Sequence, residues 1–406
     1  MSRKTHLRPS DLRGVSRLAV EATAGVTDVV EAMHLNIARS AGLFGTPARD
    51  ATRGITWLVY RSIQGVTRLV GGGLDAVLGL ASSAPAADNE SSSRGREAWL
   101  AALNGVLGDH LAGTRNPLAS SMRLRREGRP LEIGPALAAA IPEASGKVLV
   151  LAHGLCMNDL QWNRKGHDHG AALARDLTYT PLYLHYNTGL HISKNGRALA
   201  DLLESVVTHW PVPLEELAIL GHSMGGLVAR SACHYGTLAG HVWPRHLKKL
   251  VFLGTPHHGS PLERGGSRVD FLLRISPYAA PLTGLGKIRS AGITDLRHGN
   301  LLDEDWAGRD RFERSGDARR PVPLPDGVEC YAMAAIREKK EQASRTLGAS
   351  WPSDGFVPFA SALGQHEIPD LALPIPESRQ WILRGIHHFD LLSDPEAYEK
   401  IKEWLR

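Results

Sequence analysis

A mostly parallel α/β sheet flanked by helices is the fold class this sequence predicts, on three observations. Short apolar runs (Val148–Leu151, Leu182–His185, Leu217–Leu220, Leu250–Leu253, Cys330–Ala334 and Trp381–Leu383) alternate with longer stretches of helical period. Buried strands separated by helices are the pattern of a parallel sheet with both faces covered. Third, the 406-residue chain is 43% hydrophobic and 22% charged, an ordinary globular composition that excludes a disordered, fibrous or collagen-like chain. No run reaches the ~18 apolar residues of a membrane-spanning helix. Cys156, Cys233 and Cys330 form no paired framework, and the first residues show no secretory h-region. A reducing compartment, with the cytoplasm as default, is the expectation.

The elements are justified in chain order. Residues 1–80 carry 10 Lys/Arg against 6 Asp/Glu, much of the chain's net charge of +5. Two halves of this segment resemble each other at a spacing of 40: Gly25-Val26-Thr27 recurs as Gly65-Val66-Thr67, with Val15/Ile55, Leu18/Leu58 and Val29/Leu69. Apolar residues also step by eleven within each copy, close to three helical turns, so the spacing predicts amphipathic helices over 12–38 and 54–80. Gly71-Gly72-Gly73 kinks or ends the second helix. Two readings stand for the pair: a hairpin packed on the protein or on a second subunit, or an interfacial anchor on the inner membrane face. In the second, Trp57, Leu58 and Tyr60 sit among headgroups beside Arg61 and Arg68. No aromatic stacking platform accompanies the charge, so nucleic acid is not an expected partner.

Residues 81–96 are small, polar and aperiodic, which reads as a linker. From 97 onward come a helix over Glu97–Leu111 and a hairpin over Met122–Ile133 turning at Glu127-Gly128, then the alternating strands and helices to 406. The stretch of about 260–327 is too long for a simple crossover and reads as a lid or cap. Its apolar residues, Phe271, Leu272, Leu273, Tyr278 and Leu282 among them, suit an acyl pocket and suit ordinary core equally well.

Chemistry concentrates in a few motifs. Gly221-His222-Ser223-Met224-Gly225-Gly226 follows the run Leu217–Leu220 and precedes a helical pattern. That is the G-x-S-x-G elbow, which presents a nucleophilic serine on a tight strand-to-helix turn. A bare G-x-S-x-G arises often by chance; the flanking strand and helix make this one specific. A triad needs an acid and then a histidine after the serine. Asp354, in Ser353-Asp354-Gly355-Phe356-Val357-Pro358, is the acid candidate, and His388, in His387-His388-Phe389-Asp390, is the base candidate with His387 its direct competitor. Asp390 reads as a helix N-terminal residue. His153-Gly154-Leu155 follows the run Val148–Leu151, and Cys156 beside it reads as a buried filler.

On these motifs, with Gly254-Thr255-Pro256-His257-His258-Gly259-Ser260, the stretch from about 97 to 406 resembles an α/β-hydrolase of the lipase/esterase group, near bacterial lipases and PGAP1-like deacylases. The resemblance implies the α/β-hydrolase fold, with the lid insertion and the N-terminal helical extension added to it. It implies an oxyanion hole from the backbone N–H groups of Leu155 and Met224. It also implies a pocket bordered by His153, Gly154, His222, His257 and His258, with His153 itself reading as a buried structural histidine. Ser223, His388 and Asp354 would then cleave a small-molecule or lipid ester without metal or organic cofactor. An acyltransferase with the same triad and a non-catalytic membrane- or partner-binding scaffold are the alternatives. The first 96 residues resemble no family.

Overall fold

The apolar runs become six strands of a single sheet, five inner and the last at an edge. The computed structural model describes residues 8, 10–21, 94–260, 289–310, 316–337 and 353–406. Its strands are β1 (Arg123–Arg126), β2 (Arg129–Pro130), β3 (Lys147–Ala152), β4 (Thr180–His185), β5 (Glu216–His222), β6 (Leu247–Leu253), β7 (Glu329–Ile336) and β8 (Gln380–Arg384). They lie in the order β2-β1-β4-β3-β5-β6-β7-β8. β1 pairs antiparallel with β2 and β4, and every other neighbouring pair is parallel. A mostly parallel sheet flanked by helices is the α/β class read from the sequence. β3, β5 and β6 occupy its centre, and Leu217 through His222 are buried along β5. Removing each such Leu or Ile from water contributes about 1.5–3 kcal/mol. At the antiparallel end, Glu127 and Gly128 both have positive φ, 53° and 75°, the backbone of a two-residue hairpin turn.

Helices cover the sheet: α1 (Arg94–Gly113), α2 (His169–Leu177), α3 (Ile192–His209), α4 (Met224–Leu238), α5 (Ala291–Asp295) and α6 (Pro395–Leu405). Side chains of Asp168 and Asp394 cap α2 and α6 by accepting backbone N–H bonds in their first turns. α3 buries Ile192, Leu199, Leu203 and Val206 and approaches α4 at a small-residue contact of Gly196 with Ser231. α1 begins at Arg94, inside the stretch 81–96 read as linker. The first N–H groups of a helix need no intrahelical partner, so Arg94-Gly95-Arg96 is a polar first turn that composition alone mistakes for linker. Glu97, buried in that turn, pairs with Arg125 at 2.9 Å.

The chain divides into two units, residues 1–93 with 113–119, and 94–112 with 120–406. In the first, residues 10–21 are helical. The Gly14 carbonyl there accepts from Asn116 Nδ2 at 3.0 Å. The rest of the two amphipathic repeats, residues 22–80, lies outside the described residues, as do 261–288 and 311–315 of the lid stretch. Among the described residues no helix is long and apolar enough to cross a membrane.

Candidate active site

β5 ends at His222 and α4 begins at Met224, which leaves Ser223 alone at the turn. Its backbone sits at φ 53°, ψ −124°, a strained conformation that costs a non-glycine residue about 1–3 kcal/mol. Hydrogen bonds from Ser223 N–H to the Leu253 carbonyl (2.8 Å) and from Gly226 N–H to the Ser223 carbonyl (3.1 Å) hold it there. The flanking glycines are sterically required. A Cβ on Gly221 would lie 2.6 Å from Gly226 Cα, and one on Gly225 would lie 2.1 Å from the Ala152 carbonyl oxygen of β3. The strand and the helix are in backbone contact, and only hydrogen fits between them.

Asp354 and His388 come from the loops after β7 and β8. His388 Nδ1 lies 2.6 Å from Asp354 Oδ2, with both side chains buried. Asp354 Oδ1 accepts the N–H groups of Phe356 (2.9 Å) and Val357 (2.8 Å), so both carboxylate oxygens are engaged and the side chain has one orientation. His388 N–H also donates to the Asp354 carbonyl at 3.3 Å. A carboxylate accepts, so Nδ1 carries the proton and Nε2 is left as a proton acceptor. Gly254, at φ 56°, lies against the imidazole: a Cβ there would stand 3.0 Å from His388 Cε1 and Nδ1. His387 is exposed, and its N–H donates to Asp390 Oδ2 at 3.0 Å. Asp390 in turn pairs with Lys165 at 2.8 Å, which fits its reading as a helix-start residue.

Ser223 and His388 line one cavity of about 380 Å³. Among the described residues no hydrogen bond joins them, and such bonds are often long before substrate arrives. The remaining walls are largely apolar, with Leu155, Met157, Leu296, Phe356, Val357 and Phe389 prominent. Gly154 lines the cavity too, and a Cβ there would stand 3.0 Å from Ser223 Cβ. After Leu155 the loop turns sharply at Cys156, which has φ 58° and donates its N–H to Thr188 Oγ1 at 3.2 Å. Among the hydrogen bonds of the described residues, none uses the N–H of Leu155 or of Met224, the latter being the first N–H of α4. The buried Cys156 thiol, its pKa pushed up to about 12 by burial, is held un-ionised and acts as packing.

The other predicted histidines divide. His222 lines the cavity from beneath: Nε2 donates to the His388 carbonyl at 3.3 Å, and burial, reinforced by His388, keeps its pKa well below the usual range. His153, also expected at the border, is not among the residues that line the cavity. Its ring stacks on Tyr186 at 4.5 Å, donates from Nδ1 to the Gly154 carbonyl, and is held neutral by burial at a pKa of about 3. His257 and His258 correct the expectation that they border this pocket. They line a second cavity, because Arg230 and Arg319 hold their Nδ1 atoms at 3.3 Å and 2.9 Å, and it is Pro256 and Ser260 of the same loop that face the catalytic cavity. Sequence reasoning missed Met157, Pro256, Ser260 and Leu296 as lining residues. Phe356, Val357 and Phe389 stand inside its motifs, so proximity was the available signal. Among the described residues no group of three or more His, Cys, Asp or Glu side chains is disposed to hold a metal.

Residues 143–316 match the family model of the PGAP1-like alpha/beta domain. Among solved structures, the chain is similar to the mature lipase BlEst2 of Bacillus licheniformis, with 18% identity, 64% of this chain and 91% of that one covered, and a TM-score of 0.40. A metagenomic carboxyl esterase, MGS0156, is 18% identical over 76% of this chain and 92% of its own, with a TM-score of 0.37. Phospholipase PlaB of Legionella pneumophila is 16% identical over 54% and 46%, with a TM-score of 0.35. No curated protein matches the chain.

Proposed function

We propose that this chain hydrolyses carboxylic esters of apolar acids, with Ser223 as nucleophile, His388 as base and Asp354 as the residue that orients it. The observation carrying the reading is the convergence on one apolar cavity of a strained-turn serine and a buried His–Asp pair at 2.6 Å. His388 Nε2 takes the Ser223 hydroxyl proton as Oγ attacks the ester carbonyl. The N–H groups of Leu155 and Met224 receive the developing oxyanion, at about 3–4 kcal/mol per donor by analogy with other oxyanion holes. The protonated imidazole then gives its proton to the leaving alcohol. Water, deprotonated by the same histidine, releases the acid.

The lining side chains favour an acyl chain over a polar acid, since Leu155, Met157, Leu296 and Phe389 offer dispersion contacts and no charge. A lipid ester is therefore the proposed substrate class, with residues 12–80 meeting the lipid surface. The test is p-nitrophenyl ester hydrolysis across acyl lengths with wild type and Ser223→Ala. Activity rising with chain length and lost in the variant is expected; undiminished hydrolysis by Ser223→Ala overturns the assignment. Removing residues 1–80 is expected to abolish liposome co-sedimentation while short-ester hydrolysis persists.

A further inference from the structure

Phe389, one wall of the catalytic cavity, has a guanidinium over its ring: Arg164 Cζ stands 5.4 Å from the ring centroid. Arg164 belongs to a two-residue hairpin. Its backbone N–H and carbonyl both bond His167, at 2.8 and 2.9 Å, with Lys165 and Gly166 at positive φ in the turn. The hairpin is pinned to the segment that carries His388. Lys165 Nζ donates to Asp390 Oδ1 at 2.8 Å. His169 Nε2 donates to the Leu391 carbonyl at 2.8 Å, so its Nδ1 accepts from His167 Nε2 at 2.9 Å. Arg164 therefore has a fixed place beside His388.

The charge at that place is not neutralised within the fold. Among the described residues no carboxylate pairs with Arg164, and no acceptor bonds its side chain. Asp390, the acid of the same segment, is occupied on both oxygens, by Lys165 and by the N–H of His387. Arg164 is half-buried: Nε is enclosed, and the terminal Nη groups keep contact with solvent. Stacking on Phe389 orients the guanidinium without cancelling its charge. The field reaches the cavity. At His222, another lining residue, burial and then His388 are the larger causes disfavouring the charged ring, and Arg164 acts in the same direction.

The proton path sets which end of a substrate meets this cation. In the proposed reaction His388 gives its proton to the leaving alcohol, so the alcohol portion of the ester stands on the His388 side of the cavity. Phe389 is the next residue, its ring centroid 5.5 Å from that of His388, and Arg164 lies over it. We infer that Arg164 is a specificity residue that receives an anionic group, a phosphate or a carboxylate, carried on the alcohol portion of the ester. This rests on the ester-hydrolase reading. The planar fork of N–H donors suits either oxyanion bidentately. Lys165, one residue on, is already paired with Asp390 and serves as the internal control.

The test uses the full chain and soluble hexanoyl esters that share the acyl group and differ in the alcohol: glycerol, glycerol 3-phosphate and glycerate. Release of hexanoate gives kcat/KM for each. The wild type is expected to prefer an anionic ester over the glycerol ester by about 10–100-fold, the range of a charge-assisted hydrogen-bonded pair. Preference for one anionic ester identifies its anion as the ligand, and preference for both identifies a small oxyanion of either kind. Arg164→Met is expected to bring the anionic-to-neutral ratio within about threefold of unity, while Lys165→Met leaves it in place. Arg164→Gln, polar and uncharged, replaces Arg164→Met should that variant fail to fold. A wild type without the preference, or a preference that survives loss of the guanidinium, overturns the inference. Equal loss in the Arg164 and Lys165 variants also overturns it, since that marks a general field and not a binding group. Hydrolysis of no ester by the wild type, or undiminished hydrolysis by Ser223→Ala, overturns the ester-hydrolase reading and the inference with it.

Discussion

Two pairs of adjacent histidines, His257-His258 and His387-His388, occupy loops that follow parallel strands of one sheet, and they have opposite chemistry. His388 has a carboxylate beside Nδ1, Asp354 at 2.6 Å. His257 has a guanidinium beside Nδ1, Arg230 at 3.3 Å. The acid demands a proton on Nδ1 and exposes a basic Nε2; the guanidinium demands a bare Nδ1 and leaves a donor on Nε2. One neighbour makes a candidate base and the other makes a neutral ring with a buried N–H donor. The dipeptide decides nothing here; the charge across from the first nitrogen does.

The strongest way to break this contrast is to remove the imidazole of His388. His388→Ala is expected to lower kcat for a p-nitrophenyl ester on the order of 10^5–10^6-fold, while a similar loss in His387→Ala alone would reverse the assignment. Next in size is Asp354→Asn, which presents an amide where the carboxylate was. If its N–H group meets Nδ1, the proton moves to Nε2 and the base becomes a donor, as in His257. A fall in kcat on the order of 10^4-fold is expected, with far-UV circular dichroism unchanged.

Stability against pH sharpens the comparison from the other side. His153 and His169 are buried neutral, with pKa values lowered by burial to about 3 and about 4 from an unfolded value near 6.5. Below pH 6.5 the unfolded chain takes up protons that the native chain refuses, so stability falls as pH falls toward those native values. From pH 7.5 to 5.0 each contributes a loss of up to about 2 kcal/mol, read from urea midpoints. A midpoint constant over that range would show these rings charged in the native state. The smallest effect is expected for His387→Ala, where kcat/KM should stay within about threefold, because the contact the structure gives this residue at Asp390 is through its backbone N–H.

Much of the scaffold was legible from local pattern. All six apolar runs are strands; five are inner strands, which must be apolar along their length because both faces are covered, and the sixth is the edge strand β8, where Trp381 and Ile382 are exposed. The elbow was legible because Gly221 and Gly225 are demanded by backbone contact within a few residues of Ser223. His388 could be preferred to His387 but not separated from it by pattern, because burial against Asp354 depends on where β7 and β8 end in space. The polar first turn of α1 was misread for the converse reason: helix starts tolerate the residues that linkers use.

By itself the sequence determined the parallel sheet, the chain order Ser223, Asp354, His388, and the turn that isolates the serine, all set by local sterics and hydrophobic period. Tertiary structure alone decided which histidines share the cavity with Ser223 and which face Arg230. Protonation and role depend on the charge that a distant segment brings within about 3 Å, and no local pattern carries that information.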